Sequence, residues 1–238
     1  MTTSAPLQIS LCCAALFAGR AFAGAEAPAR VDRYALFGFG PFAGRQENAS
    51  WQSVKAFAEG TQVRSFLVPV VWGAPRTKLV EVMNGTGKTV LVGLGEAGSS
   101  YEVETVGFNE RGNIRDEAGR QPSGQTIAEG GESRLEVKGS AQQLAEKLTT
   151  RGFPARISND AGRFLCNEML YEFLRMQREN PNVAAVYFIH VPVLGTEVSR
   201  EGEKLAATHE YCAAFGKALV AALQELHPLV ESATSGTR

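Results

Sequence analysis

Cys166 lies in S-N-D-A-G-R-F-L-C-N-E-M-L-Y-E-F-L (158–174), where a polar, glycine-containing turn runs into an amphipathic helical pattern. A thiol in the first turn of a helix meets unpaired backbone N–H groups and the positive end of the macrodipole, and both favour a thiolate. The competing reading is a small buried hydrophobe, the usual fate of a single cysteine. Just downstream, N-V-A-A-V-Y-F-I-H-V-P-V-L-G (182–195) reads as an apolar strand that ends on His190 and is stopped by Pro192. Open α/β sheets carry their chemistry at the carboxyl ends of strands, so His190 has the address of a general base, against the plainer reading of a core imidazole. Together the two residues supply a nucleophile and a proton carrier. His209, in the opening turns of the last helix, and His227, beside Pro228 at its end, have less to offer; the latter position suits a cation facing exposed carbonyls.

A histidine base needs an orienting acid. The segment G-E-A-G-S-S-Y-E-V-E-T-V-G-F-N (95–109) supplies Glu96, Glu102 and Glu104, and strand alternation puts Glu102 and Glu104 on one face. The pattern leaves the choice between them open, and a carboxylate pair on a strand is commonly a solvated face.

The order G-F-G-P-F-A-G with N-A-S-W (38–51), G-E-A-G (95–98), E-T-V-G-F-N (104–109), D-E-A-G-R-Q-P (116–122), D-A-G-R-F-L-C-N (160–167) and F-I-H-V-P (188–192) resembles the pyroglutamyl peptidase I, or pyrrolidone carboxyl peptidase, family from about residue 34 to about 226. The resemblance implies a cysteine exopeptidase acting on N-terminally pyroglutamylated peptides through a thioester, with Cys166 as nucleophile, His190 as acid and base, and Glu104 as the orienting carboxylate. It also implies a lactam pocket built from Phe39, Phe42, Asn48, Glu96, Phe164 and Leu165, no cofactor, and homo-oligomers, since relatives form dimers or tetramers. Without it, Phe39 and Phe42 read as core and Asn48 as turn chemistry.

The rim departs from the family pattern. G-E-A-G-S-S stands where relatives usually have G-Q-A-G-G-R, Ala49 follows Asn48 in place of a proline, and G-N-I-R-D-E (112–117) replaces A-R-I-P-D-N. At position 96 an amide donor is lost and a carboxylate gained, which weakens lactam binding unless the acid is protonated or meets a cation. Two alternatives therefore accompany the main reading: a cysteine amidohydrolase for another small acyl or lactam substrate, and a lactam-binding homologue without turnover.

The elements that must position these residues alternate. Strands are expected at 34–40, 65–72, 89–95, 155–158 and 182–190, and helices at 50–58, 75–83, 141–148, after Cys166 and from 209 onward, with a loop-rich stretch holding hairpins to about 138. This predicts a single-domain α/β sandwich with a mostly parallel twisted sheet covered by helices on both faces. With 238 residues, 44% hydrophobic content and net charge −1, the chain suits one substantial core and shows no basic patch for nucleic acid. Its cysteines and histidines lack ligand spacing, so no metal is expected, and Cys212 reads as core. N-G-T-G-K-T (84–89) lacks the first glycine of a phosphate loop and sits in the order helix, loop, strand. Residues 1–23 read as a signal peptide, which implies export, although the leader has no Lys or Arg before its apolar run and Arg20 interrupts it; the alternative is a cytoplasmic protein. Residues 24–33 read as a flexible junction, 34–228 as the catalytic domain and 229–238 as a disordered tail. No segment of the mature chain is expected to cross a membrane.

Overall fold

A computed structural model of the chain describes residues 29–231 apart from 86, 201 and 202. The expected signal peptide, residues 24–28 of the junction and residues 232–238 of the tail lie outside the described residues.

In chain order the elements are β1 (Arg33–Phe39), α1 (Ala49–Val54) continued by one 3-10 turn, β2 (Val63–Val68), α2 (Ala74–Met83), β3 (Thr89–Glu96), β4 (Tyr101–Glu104), β5 (Val106–Phe108), β6 (Arg134–Glu136), α3 (Ala141–Thr149), β7 (Ala155–Ser158), α4 (Leu165–Glu179), β8 (Val183–Val191), β9 (Glu197–Arg200), β10 (Glu203–Ala206) and α5 (His209–Leu226). Six strands form the main sheet in the order β2-β1-β3-β8-β4-β7. Strands β2, β1, β3 and β8 run parallel, while β4 is antiparallel to β8 and parallel to β7.

Side-chain alternation explains why helices cover both faces. On β1, Tyr34 and Leu36 pack into one core and Ala35, Phe37 and Phe39 into the other; on β8, Tyr187 and Ile189 face the first, Val186 and Phe188 the second. The first core is closed by α1, α3 and α5, the second by α2 and α4. A strand buried on both sides must be apolar throughout, as A-A-V-Y-F-I is.

Three elements differ from expectation. The segment that holds Glu102 and Glu104 is a strand of the main sheet, inserted between β8 and β7. The expected hairpin is β5 with β6, paired antiparallel across the long 109–133 connection, and β9 with β10 form a small ribbon that the sequence pattern did not announce. The folded body also reaches further at both ends: Val31, buried, bridges Leu229 in parallel, with Val31 N–H donating to Pro228 O and Val230 N–H to Val31 O, each at 2.9 Å. Residues 31–33 and 229–230 are thus paired backbone and belong with the body, not with a loose junction or tail. Among the described residues no helix is long and apolar enough to cross a membrane.

His227 corrects one expectation. It does end α5, but its Nε2 lies 2.8 Å from the Tyr187 hydroxyl and its carbonyl accepts the Tyr34 hydroxyl at 2.5 Å. Burial pushes its pKa below the ordinary imidazole value, so it is held neutral rather than cationic. A histidine whose folded pKa is depressed leaves stability intact above the unfolded value near 6.5 and removes it as pH falls below that point. Urea unfolding between about pH 5 and pH 8 should therefore show an acid-side loss of stability that is smaller in His227→Gln. Equal pH slopes in the two proteins would contradict the neutral assignment.

Candidate active site

Strand β3 reads T-V-L-V-G-L-G-E, and its alternation turns Val90, Val92 and Leu94 to one core and Leu91, Gly93 and Gly95 toward α4. The two glycines leave a groove in the sheet surface. A Cβ placed on Gly95 would fall 2.5 Å from Cys166 Sγ and 3.3 Å from His190 Cδ2, and one on Gly93 would fall 2.8 Å from Met169 Sδ. The start of α4 therefore rests directly on bare backbone. Gly95 and His190 are register partners on β3 and β8, which brings thiol and imidazole to one spot at the carboxyl ends of the strands.

Strand β4 approaches from the other side. Glu102 is the register partner of His190, and Glu104, two residues on, shares its face. Glu104, with no exposed surface, places Oε1 2.8 Å from His190 Nδ1. Glu102 instead receives Arg156 and, at 3.1 Å, the Ser100 hydroxyl on its Oε1. The geometry thus makes the choice that the pattern left open. Burial pushes the His190 pKa down, but the charge and hydrogen-bonding of Cys166 and of Glu104 outweigh it and raise the value to about 10. The imidazole is accordingly a cation at neutral pH.

Cys166 is the second residue of α4. The helix start has no side-chain cap, and the first amide with an internal acceptor is that of Glu168, which donates to Phe164 O at 3.1 Å. The N–H groups of Leu165, Cys166 and Asn167 are consequently free to meet an anion formed beside the thiol. Two residues that sequence reasoning passed over fix this helix end. Asn167 donates to Phe108 O (2.8 Å) and Glu110 O (2.9 Å) and accepts from Phe108 N–H (2.8 Å). Glu168, buried, takes Nε (3.0 Å) and Nη2 (2.6 Å) of Arg111 and the Gly73 N–H (3.1 Å). Their only sequence signal was two polar residues on the buried side of an amphipathic helix. Outside the site, Cys212 is buried in α5, where burial pushes its thiol up to about 11, and His209 pairs with Glu47 at 2.7 Å.

A cavity of about 50 Å³ opens onto the thiol, lined by Phe39, Phe42, Asn48, Val70, Glu96, Phe164, Leu165 and Cys166. Every expected pocket residue reaches it. Phe42 and Phe164 are tilted rings with centroids 5.3 Å apart, so they touch and form one continuous wall. Asn48 does two jobs: its Oδ1 caps α1 by accepting Ser50 N–H (3.0 Å) and the Ser50 hydroxyl (2.6 Å), which leaves its NH2 for a ligand. Glu96 meets the cation its position required. Oε2 accepts Arg45 Nη2 at 2.7 Å and Oε1 accepts Leu194 N–H at 2.7 Å, so no unpaired carboxylate faces the cavity. A larger hollow of about 490 Å³ beside Pro41, Leu67 and Val71 is not lined by Cys166, whereas the smaller one is.

The chain is similar to known proteins over most of its length. The family model for pyroglutamyl peptidase matches residues 33–225. The pyrrolidone-carboxylate peptidase of Enterobacter sp. (strain 638) is 34% identical over 200 residues, covering 79% of this chain and 91% of that protein. A pyrrolidone-carboxylate peptidase of Clostridium perfringens is 32% identical over 169 residues, covering 68% and 79%. The crystal structure of Bacillus amyloliquefaciens pyroglutamyl peptidase I superposes with a TM-score of 0.68 at 25% identity, covering 84% of this chain and all of that one.

The bare backbone under the thiol has a measurable consequence. Gly95→Ala should leave the circular dichroism spectrum unchanged but lower turnover at this centre by about 100-fold, the scale of a misplacement of about 1 Å. Undiminished turnover would show that the thiol does not depend on this contact.

Proposed function

Because the chain belongs to the pyroglutamyl peptidase family, we propose that it is a cysteine exopeptidase that removes N-terminal pyroglutamate from peptides through a thioester on Cys166. The observation that carries the reading is the meeting of Cys166 and His190 over Gly95, with Glu104 on the imidazole Nδ1, beside a small cavity with an aromatic wall.

In this mechanism the sulfur attacks the pyroglutamyl carbonyl, and the developing oxyanion is met by N–H groups at the start of α4. His190, already protonated, gives its proton to the departing amine as the carbon–nitrogen bond breaks. Water then enters, His190 takes its proton, and hydroxide attack releases pyroglutamate and returns the sulfur to its starting state. Glu104, which has no exposed surface, orients the imidazole through Nδ1 and balances its charge. The lactam's apolar faces lie against Phe42, Phe164 and Leu165, and its polar edge meets the Asn48 amide. The Glu96–Arg45 pair favours a second reading, hydrolysis of a different small acyl group, because it sets a charged pair in the wall where relatives carry a neutral amide.

Hydrolysis of an L-pyroglutamyl arylamide tests the proposal. Cys166→Ala and thiol alkylation should each abolish it, whereas Cys212→Ala should leave it near wild type. Glu104→Gln should lower turnover by about two to four orders of magnitude, the cost of losing a triad's orienting acid, and Glu102→Gln should change it little. Full activity in Cys166→Ala, or the reverse ranking of the two glutamates, would overturn the assignment.

A further inference from the structure

We propose that Glu102, Glu104 and His190 form a binding site for a zinc-class divalent cation on the Nδ1 side of the imidazole, and that filling this site switches the enzyme off. One ligand atom from each of the three residues lies within 4.8 Å of the others, a span that a single ion can gather with small side-chain movements. The backbone fixes this proximity: Glu102 and His190 are register partners on adjacent strands, and Glu104 is the next residue on the same face.

A second observation points independently to a ligand. Glu104 is fully buried, and its Oε2 has no hydrogen-bond partner, although a buried carboxylate oxygen normally finds one. Glu102 is held as a metal-ligating carboxylate usually is, with one oxygen already bonded. Arg156 and Ser100 both donate to Oε1, while Oε2 accepts nothing among the described residues. The Glu102 side chain is 24% exposed, which gives an ion an entry path from solvent.

The donor set identifies the class of ion. One imidazole nitrogen and two carboxylate oxygens suit zinc, which accepts mixed N and O ligands in a tetrahedron and leaves a fourth position for water. Calcium and magnesium prefer larger, all-oxygen shells. Charge also balances, since two carboxylates neutralise a divalent cation beside a neutral ring.

Binding exchanges one set of bonds for another. The cation takes the Nδ1 lone pair, the Nδ1 proton leaves to solvent, and the hydrogen bond from Nδ1 to Glu104 is replaced by metal–nitrogen and metal–oxygen bonds. A metallated imidazole can no longer serve as the cationic acid for the leaving amine. That inhibitory consequence rests on the acid–base role proposed above for His190; the binding itself does not.

Titration calorimetry of the full chain with zinc chloride separates the two. Zinc should bind Cys166→Ala, and adding Glu102→Gln to that variant should weaken binding by about tenfold or more, the lower end of what disturbing a site's supporting ligands costs. In the arylamide assay, zinc should inhibit the wild type and EDTA should restore it. Glu102→Gln should need at least about tenfold more zinc for the same inhibition, with its zinc-free turnover unchanged. Loss of zinc binding in Cys166→Ala would make the thiol the ligand and overturn the proposal. So would a zinc response that Glu102→Gln leaves untouched. An enzyme inactive on pyroglutamyl arylamide would sink the activity reading alone, because calorimetry would still decide the metal site.

Discussion

The contact between Cys166 Sγ and the side-chain-free backbone of Gly95 is the constraint on which the rest of the site depends. Any larger residue at 95 would occupy the space of the sulfur, since even a Cβ there falls 2.5 Å from it. With that space open, the start of α4 can descend onto the sheet, and the Gly95–His190 register delivers the imidazole to the same point. The helix brings its unpaired amides with it. Asn167 and Glu168 then lock its angle by holding the 108–111 segment and the Gly73 loop. Thiol, imidazole and unpaired amides are therefore brought together by one close approach.

Electrostatics sets the protonation of that arrangement. Burial alone would make His190 neutral, as it does His227. What differs is the neighbours: His227 faces a tyrosine hydroxyl, whereas His190 lies between Cys166 and Glu104. A histidine whose folded pKa is raised adds stability that is fully present below the unfolded value near 6.5 and is lost as pH rises toward about 10. The two histidines thus bias stability in opposite directions, and only one of them is equipped to donate a proton at neutral pH.

Much of this was legible from the chain. The turn before Cys166, the apolar run ending on His190 and the alternating strands and helices all follow from local pattern, and the structure keeps them. Glu104 was separable from Glu102 only by resemblance, because alternation puts both on one face and only the pairing of β4 with β8 shows which of them reaches Nδ1. The insertion of β4 in the main sheet, the pairing of β5 with β6 and the Arg45–Glu96 ion pair join residues distant in sequence, and no local propensity encodes such partners. His227 was misread for a related reason: its position at a helix end was visible, but its burial against Tyr187 was not. The V-G-L-G alternation of β3 was in plain view, yet its meaning depends on which helix crosses it.

Cys166 and Glu104 together hold His190 as a cation, and NMR titration of the His190 ring measures this. In the wild type this imidazole should stay protonated through neutral pH and titrate far above the ordinary value, toward about 10, and its pKa should fall in Cys166→Ala because the sulfur leads the influences that raise it. A His190 that titrates near 6.5 in the wild type, unmoved by removal of the thiol, would contradict it.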